Sequence, residues 1–153
     1  MRRYRAIFAA LLLAALSISA ARAGGLLLAR VDLPFPEAMT QLQDSIVSHG
    51  YTISRVQRVD AGLRANGYTT AAYEVVFFGK PAEMRALPAL DPQLAAYLPL
   101  QIVIFSERGH SLILAADPAK IATFFPQPAL QPHFAAWSRD IRAIFKAVRH
   151  SGQ

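Results

Sequence analysis

Cysteine is absent from the 153-residue sequence. That excludes disulfides, thiolate metal centres, thiol nucleophiles and an acylated cysteine at a mature N-terminus. Histidine is sparse: His49 ends a helical pattern, His110 falls in a turn, His133 follows Pro132 and His150 lies near the C-terminus. No two of them stand at i, i+4, and neither His-x-Glu nor His-Glu-x-x-His occurs, so no metal site is expected. Ser45, Ser54, Ser106, Ser111 and Ser138 lie outside any Gly-x-Ser-x-Gly context that would expose a nucleophile. The glycines of "AGLRANGY" have neither dinucleotide-binding nor Walker spacing, and Asp60 before them would repel a phosphate. Nothing in these patterns names a cofactor.

Acidic residues are missing from the first 23 positions, "MRRYRAIFAALLLAALSISAARA". This segment carries Arg2, Arg3 and Arg5, an apolar run from Ala6 to about Leu16, and small residues ending in Ala21-Arg22-Ala23. It reads as a secretory signal peptide with cleavage after Ala23. An uncleaved anchor is the alternative, but the run is shorter than the ~20 apolar residues of a spanning helix, and Arg22 interrupts it before Leu26. Arg2-Arg3 fits a twin-arginine signal poorly. Without the leader's four arginines, 12 basic residues face 10 acidic ones, and net charge falls from +6 to +2. Nucleic-acid binding then loses its electrostatic basis. The expectation is a soluble periplasmic or secreted protein of a bacterial envelope, with no transmembrane helix after cleavage.

The remaining length suits one core and is too short for two ordinary domains, so a single α+β domain over 24–150 is expected. "GGLLLARVDL" has the composition of a first strand, about Leu26 to Leu33. In "PFPEAMTQLQDSIVSHG" the period changes: Phe35, Met39, Leu42 and Ile46 recur at helical spacing, Val47 widens the stripe, and Gly50 ends it. "YTISRVQRVD" has strand composition with broken alternation, which a bulge or an edge position would reconcile. "AGLRANGY" reads as a loop, and "TTAAYEVVFFG" as a central strand buried on both sides, with Glu74 its odd member. In "KPAEMRALPALDPQLAAY", Pro88 and Pro92 divide a helix into short pieces that border a cavity. "LQIVIF" and "SLILAA" pair as a hairpin through Glu107-Arg108-Gly109-His110, Gly109 supplying a positive φ. Asp117-Pro118 is an N-cap followed by proline at the first helical position. Phe134, Trp137, Ile141, Phe145 and Val148 mark a long C-terminal amphipathic helix. The resulting order is β-α-β-β-(short helices)-β-β-α, a two-layer sandwich with helices on one face of a mostly antiparallel sheet.

Four short motifs, "HGY" after the first helix, "FFGKP" after the central strand, "YLPLQIVIF" opening the hairpin and "AADP" closing it, resemble the domain of unknown function 302 family. The resemblance covers about Leu26 to about Phe125. It implies an arrangement like half of a TATA-box-binding protein, in members that tend to associate as dimers, and it does not imply DNA binding. The family pattern often has asparagine where Lys80 stands and aspartate where Tyr97 stands.

Candidate functional residues fall into three groups. Tyr51, Tyr73 and Tyr97, with Arg55, Arg58 and Lys80, combine aromatic walls with orienting cations and suit a small anionic or amphipathic ligand; the competing reading puts the aromatics in the core and the cations in solvent. Glu107 and His110 flank the hairpin turn and, with Glu74, are the possible acid-base groups. Asp117 already has a sufficient role as a helix cap. Arg139, Arg142, Lys146 and Arg149 form a basic stripe on the last helix, suited to an anionic surface or acidic partner, or to plain solvation. No catalytic constellation emerges. The preferred expectation is a non-catalytic ligand-binding or accessory module acting as a homodimer through a strand edge or the sheet face. An enzyme acting on a small anionic substrate, and an envelope protein docking by its basic helix, are the alternatives.

Overall fold

A computed structural model describes residues 24–152; the expected signal peptide lies outside them. Five strands, β1 (Leu26–Val31), β2 (Thr52–Arg58), β3 (Tyr73–Gly79), β4 (Leu100–Glu107) and β5 (His110–Ala116), form one sheet in the order β1-β5-β4-β3-β2. Every neighbouring pair is antiparallel. The helices are α1 (Phe35–Ser48), α2 (Val59–Ala65), α3 (Pro81–Leu90), α4 (Pro118–Ile121) and α5 (Gln131–His150), with 3-10 turns at Pro92–Ala96 and Ala122–Phe124. No helix among the described residues is long and apolar enough to cross a membrane.

Alternation along the strands assigns the two faces. On β1, Leu27, Ala29 and Val31 are buried while Leu26, Leu28 and Arg30 are exposed. Register carries the buried parity across the sheet, so that Ala29 lies beside Ile113, which lies beside Ile104. Met39, Leu42 and Ile46 of α1 and Trp137, Ile141 and Phe145 of α5 join these strand residues in one core. The segment after Pro126 therefore packs on its own sheet. Val47 departs from the expected stripe: it is exposed, and Ala38 and Ser45 are the buried neighbours instead. The stripe runs along i, i+3, i+4 steps from Ala38, which turns position 47 away from the sheet.

β2 is both an edge strand and irregular, its register shifting between Ile53 and Arg55. The segment expected to be a loop after it begins as the helix α2. Asp60 and Arg64 pair at i, i+4 on that helix, and Asn66 Nδ2 donates to the Gly62 carbonyl at 2.8 Å. These local bonds outweigh the glycine that argued against a helix, and Gly67, with φ of 84°, ends the turn that follows. Burial pushes the Asp60 carboxyl up, but hydrogen bonds from Arg64 and the Ala61 amide outweigh it and hold the group below its ordinary value. Pro88 also fails to break its helix. It sits near the C-terminal end of α3, where its missing N–H forfeits one bond at most, and the Asp91 amide still reaches the Leu87 carbonyl at 3.3 Å.

The β4–β5 hairpin turns through Arg108 and Gly109, both at positive φ, 49° and 84°. Two successive left-handed residues are the signature of a type I′ connection, whose twist matches the strands. Replacing Leu42, fully buried on α1, by alanine is expected to cost ~2–5 kcal/mol in urea denaturation, whereas Val47→Ala changes stability by less than ~0.5 kcal/mol. Arg108→Asn, which suits the left-handed region better, is expected to raise stability by up to ~1 kcal/mol in the same assay.

Candidate functional site

With all neighbours antiparallel, the start of β2, the end of β3, the start of β4 and the end of β5 fall at one end of the sheet. The four motifs "HGY", "FFGKP", "YLP" and "AADP" meet there, beneath the N-terminal half of α5. Tyr51, buried and edge-on to Phe78 at 5.3 Å, donates its hydroxyl to Asp140 Oδ2 at 2.8 Å. The Lys80 ammonium lies 4.7 Å from the centre of the Tyr51 ring and 3.7 Å from the same Asp140 oxygen. Next to this, Glu83 accepts the Trp137 indole N–H at 2.8 Å and stands 3.3 Å from His133 Nδ1. Gly79 lets α3 approach, since a Cβ there would lie 2.7 Å from Met84 Sδ. Burial, the Asp140 hydrogen bond and the negative charges of Asp140 and Glu83 push the Tyr51 phenol far above its ordinary value.

Asp117 closes the other side of this end. Its carboxylate caps α4 through the Ala119 amide, accepts Ser138 Oγ at 2.6 Å, and pairs with Arg142 at 2.6 Å. Between these two polar clusters lies a cavity of about 170 Å³ with Tyr97, Leu98, Pro99, Phe134 and Trp137 among its walls. The Leu98–Pro99 peptide is cis.

The second feature is the sheet face that α1 and α5 leave uncovered. One row across it reads Leu28, Leu114, Val103, Val75 and Gln57. Leu26 and Leu28 are more than half exposed, at 53% and 59%. Beside them Tyr73, Val103, Phe105 and Leu114 are half-buried and line a groove of about 520 Å³. Thr70 to Ala72 form its rim, held by the Ser106 amide donating to the Ala72 carbonyl at 2.9 Å. Gln101 and Ala116 line both the groove and the cavity at the sheet end. These two residues thus stand between the open face and the cavity beside Trp137.

The sequence model of the family described as "Domain of unknown function DUF302" matches residues 29–148. The chain belongs to the DUF302 family. The crystal structure of an uncharacterized conserved DUF302 protein from Bacillus stearothermophilus is similar over 83% of this chain and 100% of that chain, with a TM-score of 0.75 and 19% sequence identity. That likeness extends to the fold, an antiparallel sheet with helices packed on it. No curated protein matches the sequence.

The DUF302 motifs thus prove to hold one end of the sheet to α5. The residues expected to form a ligand pocket are dispersed over it. Tyr51 and Lys80 meet at Asp140 on the helix side, Tyr73 lines the open groove, and Tyr97 packs edge-on against Phe125 at 5.5 Å beside the end cavity. Arg55 pairs in register with Phe77 and so lies on the open face, with no carboxylate within ion-pair distance among the described residues. Arg58 stands 3.6 Å from Glu74, on the helix side. Of the possible acid-base groups, Glu107 and His110 face each other across the hairpin, Glu107 exposed and His110 3.2 Å from Asp32, while Glu74 lies apart on the helix side of β3. Asp117 lies at the far end of β5 from His110, roughly 20 Å away at the rise of a strand. Sequence reasoning missed Glu83, two residues beyond "FFGKP" in the first turn of α3, and His133 and Asp140, which lie on α5 far from that motif in the chain. It also missed the groove itself, although "LLLARV" carried the signal in the outward parity of Leu26 and Leu28.

A phenol raised in the folded state favours folding while protonated. Its contribution is whole below the ordinary tyrosine value of ~10 and is lost as pH rises past it. Native protein is therefore expected to lose stability above that pH, with tyrosinate absorbance jumping on alkaline unfolding; in Tyr51→Phe the jump shrinks and the alkaline loss of stability is reduced.

Proposed function

We propose that the protein is an exported, non-catalytic binding module that works as a homodimer and holds a small amphipathic ligand on the uncovered sheet face. The observation that carries this reading is the apolar groove of about 520 Å³ on that face. A soluble domain seldom leaves so continuous an apolar surface without a partner or ligand. The apolar part of a ligand fits along Phe105, Val103 and Leu114, and Gln101 borders both this groove and the cavity beside Trp137. Arg55, at the edge of the same face, is placed for an anionic head. Two such faces brought together about a twofold axis would bury Leu28 and Leu114 of each copy. Export is supported by the charge and apolar pattern of residues 1–23.

The enzyme alternative has weaker support. Glu74 is engaged by Arg58, and Lys80 stands roughly 20 Å from Glu74, six residues along an extended strand. Glu74 and Lys80 are therefore too far apart to act on one small substrate, and the cation beside Glu74 is the one that occupies it.

Native mass spectrometry of the protein purified gently from the periplasm tests the reading. The expected result is a dimer carrying a reproducible extra mass, with Val103→Asp/Leu114→Asp giving a bare monomer. A bare wild-type mass together with an unchanged subunit count in the variant overturns it.

A further inference from the structure

The two edges of the sheet differ. β2 is irregular, with a register shift and Arg55 and Arg58 along it, devices that discourage another strand from pairing. β1 has neither bulge nor proline, and Arg30 is its one charge. The Asp117 amide donates to the Gly25 carbonyl at 2.8 Å. That makes the Gly25–Asp117 position a hydrogen-bonded pair, and alternation along an antiparallel ladder then turns the N–H and C=O groups of Leu26, Leu28 and Arg30 towards the free edge.

This edge is flanked on the helix side by α5. A groove of about 330 Å³ separates them, walled by Leu26 to Ala29 and by Arg142, Phe145, Lys146 and Arg149. Arg142 is already paired with Asp117. Lys146 and Arg149 have no carboxylate within ion-pair distance among the described residues. The groove thus joins unpaired strand hydrogen-bonding groups to two uncompensated cations.

We propose that the β1 edge is a docking site for an extended acidic peptide segment of another protein, added as a sixth strand beside the five of the sheet. Register fixes the chemistry of the partner. Residues opposite Leu26 and Leu28 lie on the open face and are apolar; the alternate residues lie on the helix side, next to Lys146 and Arg149, and are acidic. Charge argues against a second copy as the occupant. Antiparallel β1–β1 pairing about a twofold axis places both α5 helices on the same side, with Lys146 and Arg149 of the two copies facing each other. The site shares Leu26 with the sheet-face groove, but its strand edge and its cations lie outside that groove.

The test is fluorescence anisotropy of a short labelled peptide of alternating glutamate and valine, titrated with the purified protein. Binding is expected, weakened by added salt and by about tenfold or more in Lys146→Glu/Arg149→Glu. A peptide with lysine for glutamate, and one N-methylated on alternate backbone amides, are expected not to bind. Leu28→Pro removes an edge-facing N–H and no bond to β5, so it is expected to lose binding as well; the exposed charge-reversal variant carries the test if the proline variant does not fold. Absence of peptide binding, equal binding of the N-methylated peptide, or undiminished binding by the charge-reversal variant overturns the proposal. So does a drop in subunit count on charge reversal, which assigns the edge to a second copy.

Discussion

The structure depends on the seating of α5 across one face of the sheet, and two carboxylates fix that seat. Asp140, on α5, takes the Tyr51 hydroxyl and the Lys80 ammonium from the β2 and β3 side. Asp117, at the end of β5, takes Ser138 and Arg142 of α5 from the other. Between them the apolar stripe of Phe134, Trp137, Ile141 and Phe145 is buried, and burial of that stripe provides the bulk of the cohesion. The carboxylates add direction, since a hydrophobic stripe alone can slide or rotate while a hydrogen-bonded carboxylate cannot.

Covering one face completely has a consequence for the other. A five-stranded sheet of this length has two broad faces, and the chain supplies long helices for one. The second face nevertheless carries Leu28, Leu114, Val103 and Phe105 in adjoining rows rather than the polar residues that usually face water. The same arrangement puts α5 beside β1, so that one helix closes the core and lends its cations to an exposed edge. Core, open face and edge are therefore coupled through the placement of one helix.

The family motifs take on a physical meaning in this frame. "HGY" and "FFGKP" supply Tyr51 and Lys80 to one carboxylate, Gly79 makes room for Met84, and "AADP" supplies the other carboxylate. Their shared location follows from antiparallel pairing, which brings segments far apart in the chain to one end of the sheet. Local composition carried none of that convergence. The hairpin shows the reverse case: Asp117 is close in the chain to Glu107 and His110, which pair across the turn, yet lies apart from both, because a strand separates its ends by its full length.

The sequence by itself determined the α+β class, the five strands, both long helices, the hairpin turn and the Asp117 cap. Each of these is written in periodicity or in residues a few positions apart, where local sterics and hydrogen bonding act. Two local readings failed where balanced effects met: Asp60 and Arg64 with Asn66 stabilise α2 despite Gly62, and Pro88 is too near a helix end to break it. The site belonged to tertiary structure. Which residues of a strand face water, which carboxylate Tyr51 reaches 89 positions along the chain, and which edge lies beside Lys146 are fixed by strand order and register. Those depend on contacts between residues distant in sequence, and no local pattern records them.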